Sequence, residues 1–91
     1  MKLFKSVDEK LEIIGFKKIR EDKYGAEYER EDKEFNYVQK LSFYHKRNGK
    51  HLMLSYEKQC NKDGFNNVIG LTGYETKLAL KKMKQLGLYS F

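Results

Sequence analysis

Asn48-Gly49, set between two runs that alternate apolar and polar residues, is the feature that most constrains the fold of this chain. The dipeptide accepts positive φ at both central positions of a type I′ turn, whose twist matches that of the strands it joins. A hairpin over residues 35–58 follows. Folding about Asn48-Gly49 pairs Arg47 with Lys50, His45 with Leu52, Phe43 with Leu54 and Leu41 with Tyr56, so that one face is apolar and aromatic. The other face carries Val38, Lys40, Ser42, Tyr44, Lys46, His51, Met53, Ser55 and Glu57. The tip, residues 45–51, is basic.

The flanks predict one helix on each side of a sheet. Ser6 and Glu9 have capping-box spacing, in which a serine oxygen and a glutamate carboxylate satisfy backbone donors at a helix start. Val7, Leu11 and Ile14 then fall at i, i+4 and i+7, and Gly15 followed by Phe16 supplies a C-terminal stop, which predicts a helix over 7–14. From 17 to 32 the pattern changes to strands. Asp22-Lys23-Tyr24-Gly25 marks a turn, after which Tyr24, Ala26 and Tyr28 point one way and Glu27, Glu29 and Glu31 the other. A turn at Asp32-Lys33 would put Tyr28 opposite Tyr37 and Glu27 opposite Val38, with Lys40 diagonally near, so that an acidic strand edge lies beside a basic face. Residues 59–71 read as a turn-rich connection in which Val68-Ile69 adds a few extended residues. Thr72 and Glu75 repeat the capping-box spacing ahead of a second helix over 73–86 that stops at Gly87. Thr76, Ala79, Leu80, Met83 and Leu86 form its expected inner stripe, and Lys77, Lys81 and Lys84 line another face.

Ninety-one residues make one domain, with a core large enough to fold alone and little surplus stability. No apolar run approaches the roughly 20 residues that span a bilayer, and the start of the chain leads straight into a capped helix, so the expectation is a cytoplasmic protein with no membrane contact. The single cysteine, Cys60, has no partner for an internal disulfide, which agrees with a reducing compartment. The net charge of +6 is unevenly spread: residues 1–34 hold nine basic and ten acidic side chains, residues 35–91 ten and three. Such polarity steers acidic partners or nucleic acid.

The inventory for catalysis is poor. A nucleophile needs a base within hydrogen-bond reach, and a metal site needs several converging ligands. The expected register sends His45 and His51 to opposite faces, and Cys60 has no orienting carboxylate at a telling spacing. Asp63-Gly64 lacks the alternating acidic ligands of a calcium loop, and Gly70 with Gly73 is no phosphate-binding loop. No catalytic residue, cofactor or metal is therefore expected. Candidate binding residues are the tip side chains Lys46, Arg47 and Lys50 flanked by Tyr44 and His51, able to meet phosphates and stack on a base, and the helix stripe Lys77, Lys81 and Lys84. Val38, Tyr44 and Met53 form a small apolar cluster suited to a protein partner.

The order helix, strands, helix is similar to that of double-stranded RNA-binding domains, but that family has three strands and places its lysines at the start of the last helix, whereas Lys81-Lys82-Met83-Lys84 falls late. A second resemblance covers most of the chain. Leu11-Glu12-Ile13-Ile14-Gly15-Phe16-Lys17-Lys18, the tyrosine-rich stretch 24–31, Gly64-Phe65-Asn66-Asn67 and the closing lysine-rich helix resemble short proteins encoded by phages and prophages of low-GC Gram-positive bacteria. No catalytic residues attach to that group. The resemblance implies a small accessory protein acting in a bacterial host cell.

The sequence thus predicts a two-layer α+β domain: a four-stranded antiparallel meander with an N-terminal and a C-terminal helix on one face. Its expected function is non-enzymatic binding, as a phage or prophage accessory protein, to a host or phage component, either a protein or nucleic acid, with no oligomeric state specified. The alternative is a nucleic-acid-binding module using the hairpin tip and the last helix.

Overall fold

The computed structural model describes residues 5–34, 36–45, 51–58 and 68–87. Helix α1 (Val7–Ile13) is followed by strands β1 (Lys17–Asp22), β2 (Gly25–Asp32), β3 (Tyr37–His45) and β4 (His51–Glu57), and helix α2 (Gly73–Gln85) closes the order. The strands form one antiparallel sheet in the order β1-β2-β3-β4. Both helices pack on the same face, where Leu11, Leu78, Ala79 and Met83 meet Ala26, Tyr28, Leu41 and Phe43. This is the expected two-layer α+β architecture.

Both capping boxes form, Ser6 with Glu9 and Thr72 with Glu75. Helix α1 ends as its sequence requires: Gly15 has φ 100°, its N–H donates to the Glu12 carbonyl and that of Phe16 to the Leu11 carbonyl, each at 2.9 Å. These two bonds make a Schellman motif, and Phe16 is thereby dropped into the core. A helix of seven residues is too short to persist alone, so this packing is what holds it.

The turn between β1 and β2 forms at 23–24, with Asp22 accepting from the Tyr24 N–H at 2.8 Å. Tyr24 itself was expected on the apolar face; it lies at the turn and is exposed. Gly25 pairs with Tyr44 at φ 144°, and a Cβ there would stand 1.8 Å from the Phe43 carbonyl oxygen, so no other residue fits. The β2–β3 pairing differs from expectation by four residues: Tyr28 faces Leu41 and Glu27 faces Ser42. Strand β2 runs on to Asp32, opposite Tyr37, because Asn36 takes the left-handed conformation (φ 55°) that asparagine tolerates and so completes a later turn. An even shift keeps every side chain on its predicted face.

The β3–β4 register is a correction with larger consequences. His45 pairs with His51, Phe43 with Met53 and Ser42 with Leu54, one residue away from the expected register. Five residues separate His45 from His51, and this odd number, in place of an even one about Asn48-Gly49, turns every β4 side chain to the other face. The physical reason lies in the buried amide of Gln39, which accepts from Arg30 at 2.7 Å and donates to Ser55 Oγ at 2.8 Å. The expected register would have set Ser55 on the far side and left the N–H donors of that amide without this acceptor, which is costly in an apolar layer. Met53 therefore packs inward, and Leu54 faces out with 43% of its surface exposed. The Asn48-Gly49 turn, the tip residues Lys46, Arg47 and Lys50, Cys60 and the turns expected within 61–67 lie outside the described residues. Val68 bridges to Tyr56 and Ile69 donates to the Ser55 carbonyl, which gives the few extended residues expected there.

Helix α2 is rotated from its expected inner stripe. Glu75, Leu78, Ala79, Lys82 and Met83 are buried, whereas Leu80 is 38% exposed. The two charged members of the buried stripe are compensated, each by its own cluster. Glu75 takes a charge-assisted bond from Arg30 at 2.7 Å, and the same guanidinium reaches the Ile14 carbonyl at 3.1 Å and lies over the Phe16 ring. Two turns further on, Lys82, with no exposed surface, contacts Glu21 at 2.7 Å and Asp8 at 3.0 Å. Tyr28 donates to the same Asp8 oxygen at 2.5 Å, and Lys18 bridges Asp8 and Glu21 from the solvent side.

A β-bulge makes the second cluster possible. The β1–β2 register slips between Lys18 and Arg20, so Lys18 stands opposite Tyr28 and Glu21 opposite Ala26. Tyr28 and Ala26 face the helices, and so both Lys18 and Glu21, three residues apart, reach the helical side. In a regular strand they would point to opposite faces. Ile19, the extra residue, is left exposed.

Candidate interaction surface on the open sheet face

Among the described residues both helices lie on one side of the sheet, and strand side chains form the other face. Alternation and register place Glu27, Glu29 and Glu31 of β2, Val38, Lys40, Ser42 and Tyr44 of β3, and Leu52, Leu54 and Tyr56 of β4 on it. Arg20 joins them from β1, turned outward after the bulge and opposite Glu27.

Glu27 is the hub of this face. Its carboxylate accepts from Lys40 and Tyr44 at 3.1 Å and from Arg20 at 3.3 Å. Partial burial pushes the Glu27 carboxyl up, but the bonds from Lys40, Tyr44 and Arg20 outweigh it and hold the group below the ordinary carboxylate range. Burial lifts the Tyr44 phenol, and donation to Glu27 lifts it further. For Lys40, burial acts downward, but the Glu27 carboxylate prevails and its ammonium is held above the usual lysine range. Arg20 also pairs with Asp22, and Lys58 reaches across to Glu29 at 3.0 Å. The acidic edge of β2 beside the basic face of β3 is thus present as expected, with Glu27 and Lys40 in diagonal contact.

Arg20, Lys40 and Lys58 are consequently engaged by carboxylates of the same face. Beside these ion pairs lies an apolar group: Leu54 is exposed, next to Leu52 and Tyr56 on its own strand and opposite Ser42, which is itself buried between its long neighbours. The arrangement offers an aromatic and aliphatic strip along β3 and β4 bordered by fixed ion pairs. Among the described residues no three His, Cys, Asp or Glu side chains converge as metal ligands.

The residues expected to act together are distributed over three surfaces. Tyr44 lies on the open face. Met53 does not, and the apolar cluster expected of Val38, Tyr44 and Met53 is not formed; Met53 belongs to the core side. His51 is likewise turned to the helical face, directly opposite His45, so the expected separation of the two histidines is also corrected. Lys77, Lys81 and Lys84 are exposed on the outer side of α2. Leu52, Leu54 and Tyr56 were missed because their parity depends on the loop length between β3 and β4. Lys82 was missed for another reason: a search for apolar periodicity passes over a lysine, although its spacing from Leu78 and Ala79 puts it on their stripe.

Comparison of the chain with protein-family models, with curated proteins and with solved structures found no match.

Proposed function

We propose that the chain is a non-enzymatic binding protein that engages a protein partner through the open sheet face, in the phage or prophage setting that its sequence resembles. The observation that carries this reading is the outward register of β4, which leaves Leu54 exposed beside Leu52, Tyr56 and Tyr44 while Glu27 and Glu29 occupy the neighbouring cations. A phosphate backbone docking here would have to displace those ion pairs, whereas an apolar protein surface would leave them intact and bury the strip. Aromatic residues in such a strip are the usual anchors of an interface, and a paired charged rim supplies specificity more than affinity.

A specific observation favours a second reading, nucleic-acid binding by α2. Lys77, Lys81 and Lys84 have no ion-pair partner among the described residues, and the single acidic residue of α2, Glu75, is turned inward to Arg30. The exposed side of this helix is therefore of one sign.

Two measurements separate the readings. Titration against generic duplex and single-stranded DNA and RNA should give no binding tighter than about 100 μM at low salt if the protein reading holds. Binding whose log-log salt slope is near −0.9 per phosphate, falling by about 1 with each of Lys77, Lys81 and Lys84 changed to Ala, would establish the second reading. In parallel, immobilised wild-type chain and Leu54→Arg are exposed to lysate of infected host cells. The protein reading expects a partner held by the first and lost by the second; identical capture by both would count against it.

A further inference from the structure

We propose that His45 and His51 together form a two-imidazole site for a divalent first-row transition-metal cation. The two residues are direct cross-strand partners at the end of the β3–β4 ladder, and their ring centroids lie 4.6 Å apart at an interplanar angle of 61°. Directly opposed residues on one sheet face have Cβ atoms about 4.5–5.5 Å apart, so both rings can turn toward one ion at the usual metal–imidazole distance of about 2.0–2.1 Å. A second observation points the same way. Nδ1 of His51 is buried and has no hydrogen-bond partner among the described residues, and a polar atom withdrawn from water without a partner is a group that an ion or a bound water ordinarily satisfies.

The surroundings suit a cation. No ion pair among the described residues engages either ring. His45 is exposed, which leaves room for water to complete the coordination shell. The ladder holds both backbones in register, so the two ligands are positioned before the metal arrives. Two nitrogen ligands and no thiolate or carboxylate among the described neighbours select by the general order for nitrogen donors, with Cu(II) above Ni(II) and Zn(II). The site adds to the binding surface on the opposite face of the sheet and does not depend on it.

The test uses the untagged full chain, freed of metal with chelator and then titrated with NiCl2, ZnCl2 and CuCl2, with calorimetry and histidine ring signals in NMR spectra as readouts. One saturable equivalent per chain at sub-millimolar concentration is expected, strongest for copper. The ring signals of both histidines should respond together. His45→Gln and His51→Gln should each weaken binding by about tenfold or more, no less than the loss of an outer-shell partner costs a metal site, with the melting temperature in chelator unchanged. Absence of saturable binding, a response from one ring alone, or unaltered affinity in folded variants would overturn the site. Because the two-ring response is read on the wild-type chain, the outcome stands even if a variant does not fold.

Discussion

Lys82, which has no exposed surface, holds its ammonium 2.7 Å from the Glu21 carboxylate, and the β-bulge at Ile19 is what brings that carboxylate to the helical side. The two ends of this contact are not equivalent. Glu21 and Asp8 keep a third of their side-chain surface in water and have Lys18 as a second cation, whereas the wholly buried Lys82 is compensated, among the described residues, by these carboxylates, the amide oxygen of Gln85 and the face of the Tyr28 ring.

The asymmetry predicts unequal costs. Changing Asp8 and Glu21 together to Ala strands the buried ammonium and should destabilise the domain by about 3–5 kcal/mol. Lys82→Met, which removes the buried charge and fills its volume, should cost less than about 2 kcal/mol. Urea unfolding of the two variants measures the difference, and the reverse order would show that the carboxylates, not the lysine, are the strained partners.

Acid should act through the same cluster. Burial pushes the Asp8 carboxyl up, but bonds from Lys18, Tyr28 and Lys82 prevail and bring it from 3.8 to about 2. A carboxyl whose folded pKa lies below its unfolded value adds stability above the unfolded pKa and loses it as pH falls through the folded one. The Asp8 contribution is therefore complete above about pH 4 and gone below about pH 2. Melting temperature followed through this window should fall more steeply for the wild-type chain than for Asp8→Asn, whose starting stability is lower. Parallel curves would remove Asp8 from the account.

Much of the fold is written in short local signals. Ser6 with Glu9, Thr72 with Glu75, and Gly15 before Phe16 announce the helix ends because each satisfies backbone groups within a few residues of itself. The alternation around Tyr28 and Glu27 assigns faces on β2 and β3 correctly even though the pairing is four residues from expectation, since an even shift preserves parity. The site was less legible. The faces of Met53 and Leu54 turn on whether an odd or an even number of residues separates β3 from β4, and the deciding contact, Gln39 with Ser55, spans sixteen residues. Lys82 is hidden for a similar reason: its partners come from α1 and β1, and only the bulge at Ile19 turns Glu21 toward it.

Gly25 is a local residue with a distant constraint. Any side chain there collides with the Phe43 carbonyl of the neighbouring strand and must also adopt φ 144°. Gly25→Ala should cost on the order of 2–6 kcal/mol, the sum of backbone strain and overpacking. A melting temperature within a few degrees of wild type would show that β2 and β3 approach less closely at this point.

The open face exists as a binding surface only if Leu54 points away from the helices, opposite Ser42 and not opposite Phe43. The unfolding free energy of Leu54→Arg in urea tests this directly. An arginine on the solvent side of the sheet should leave stability within about 1 kcal/mol of wild type, as surface substitutions do. The same arginine at a core position would bury an unpaired charge and cost more than about 4 kcal/mol, and a loss of that size would contradict the register and the interaction surface built on it.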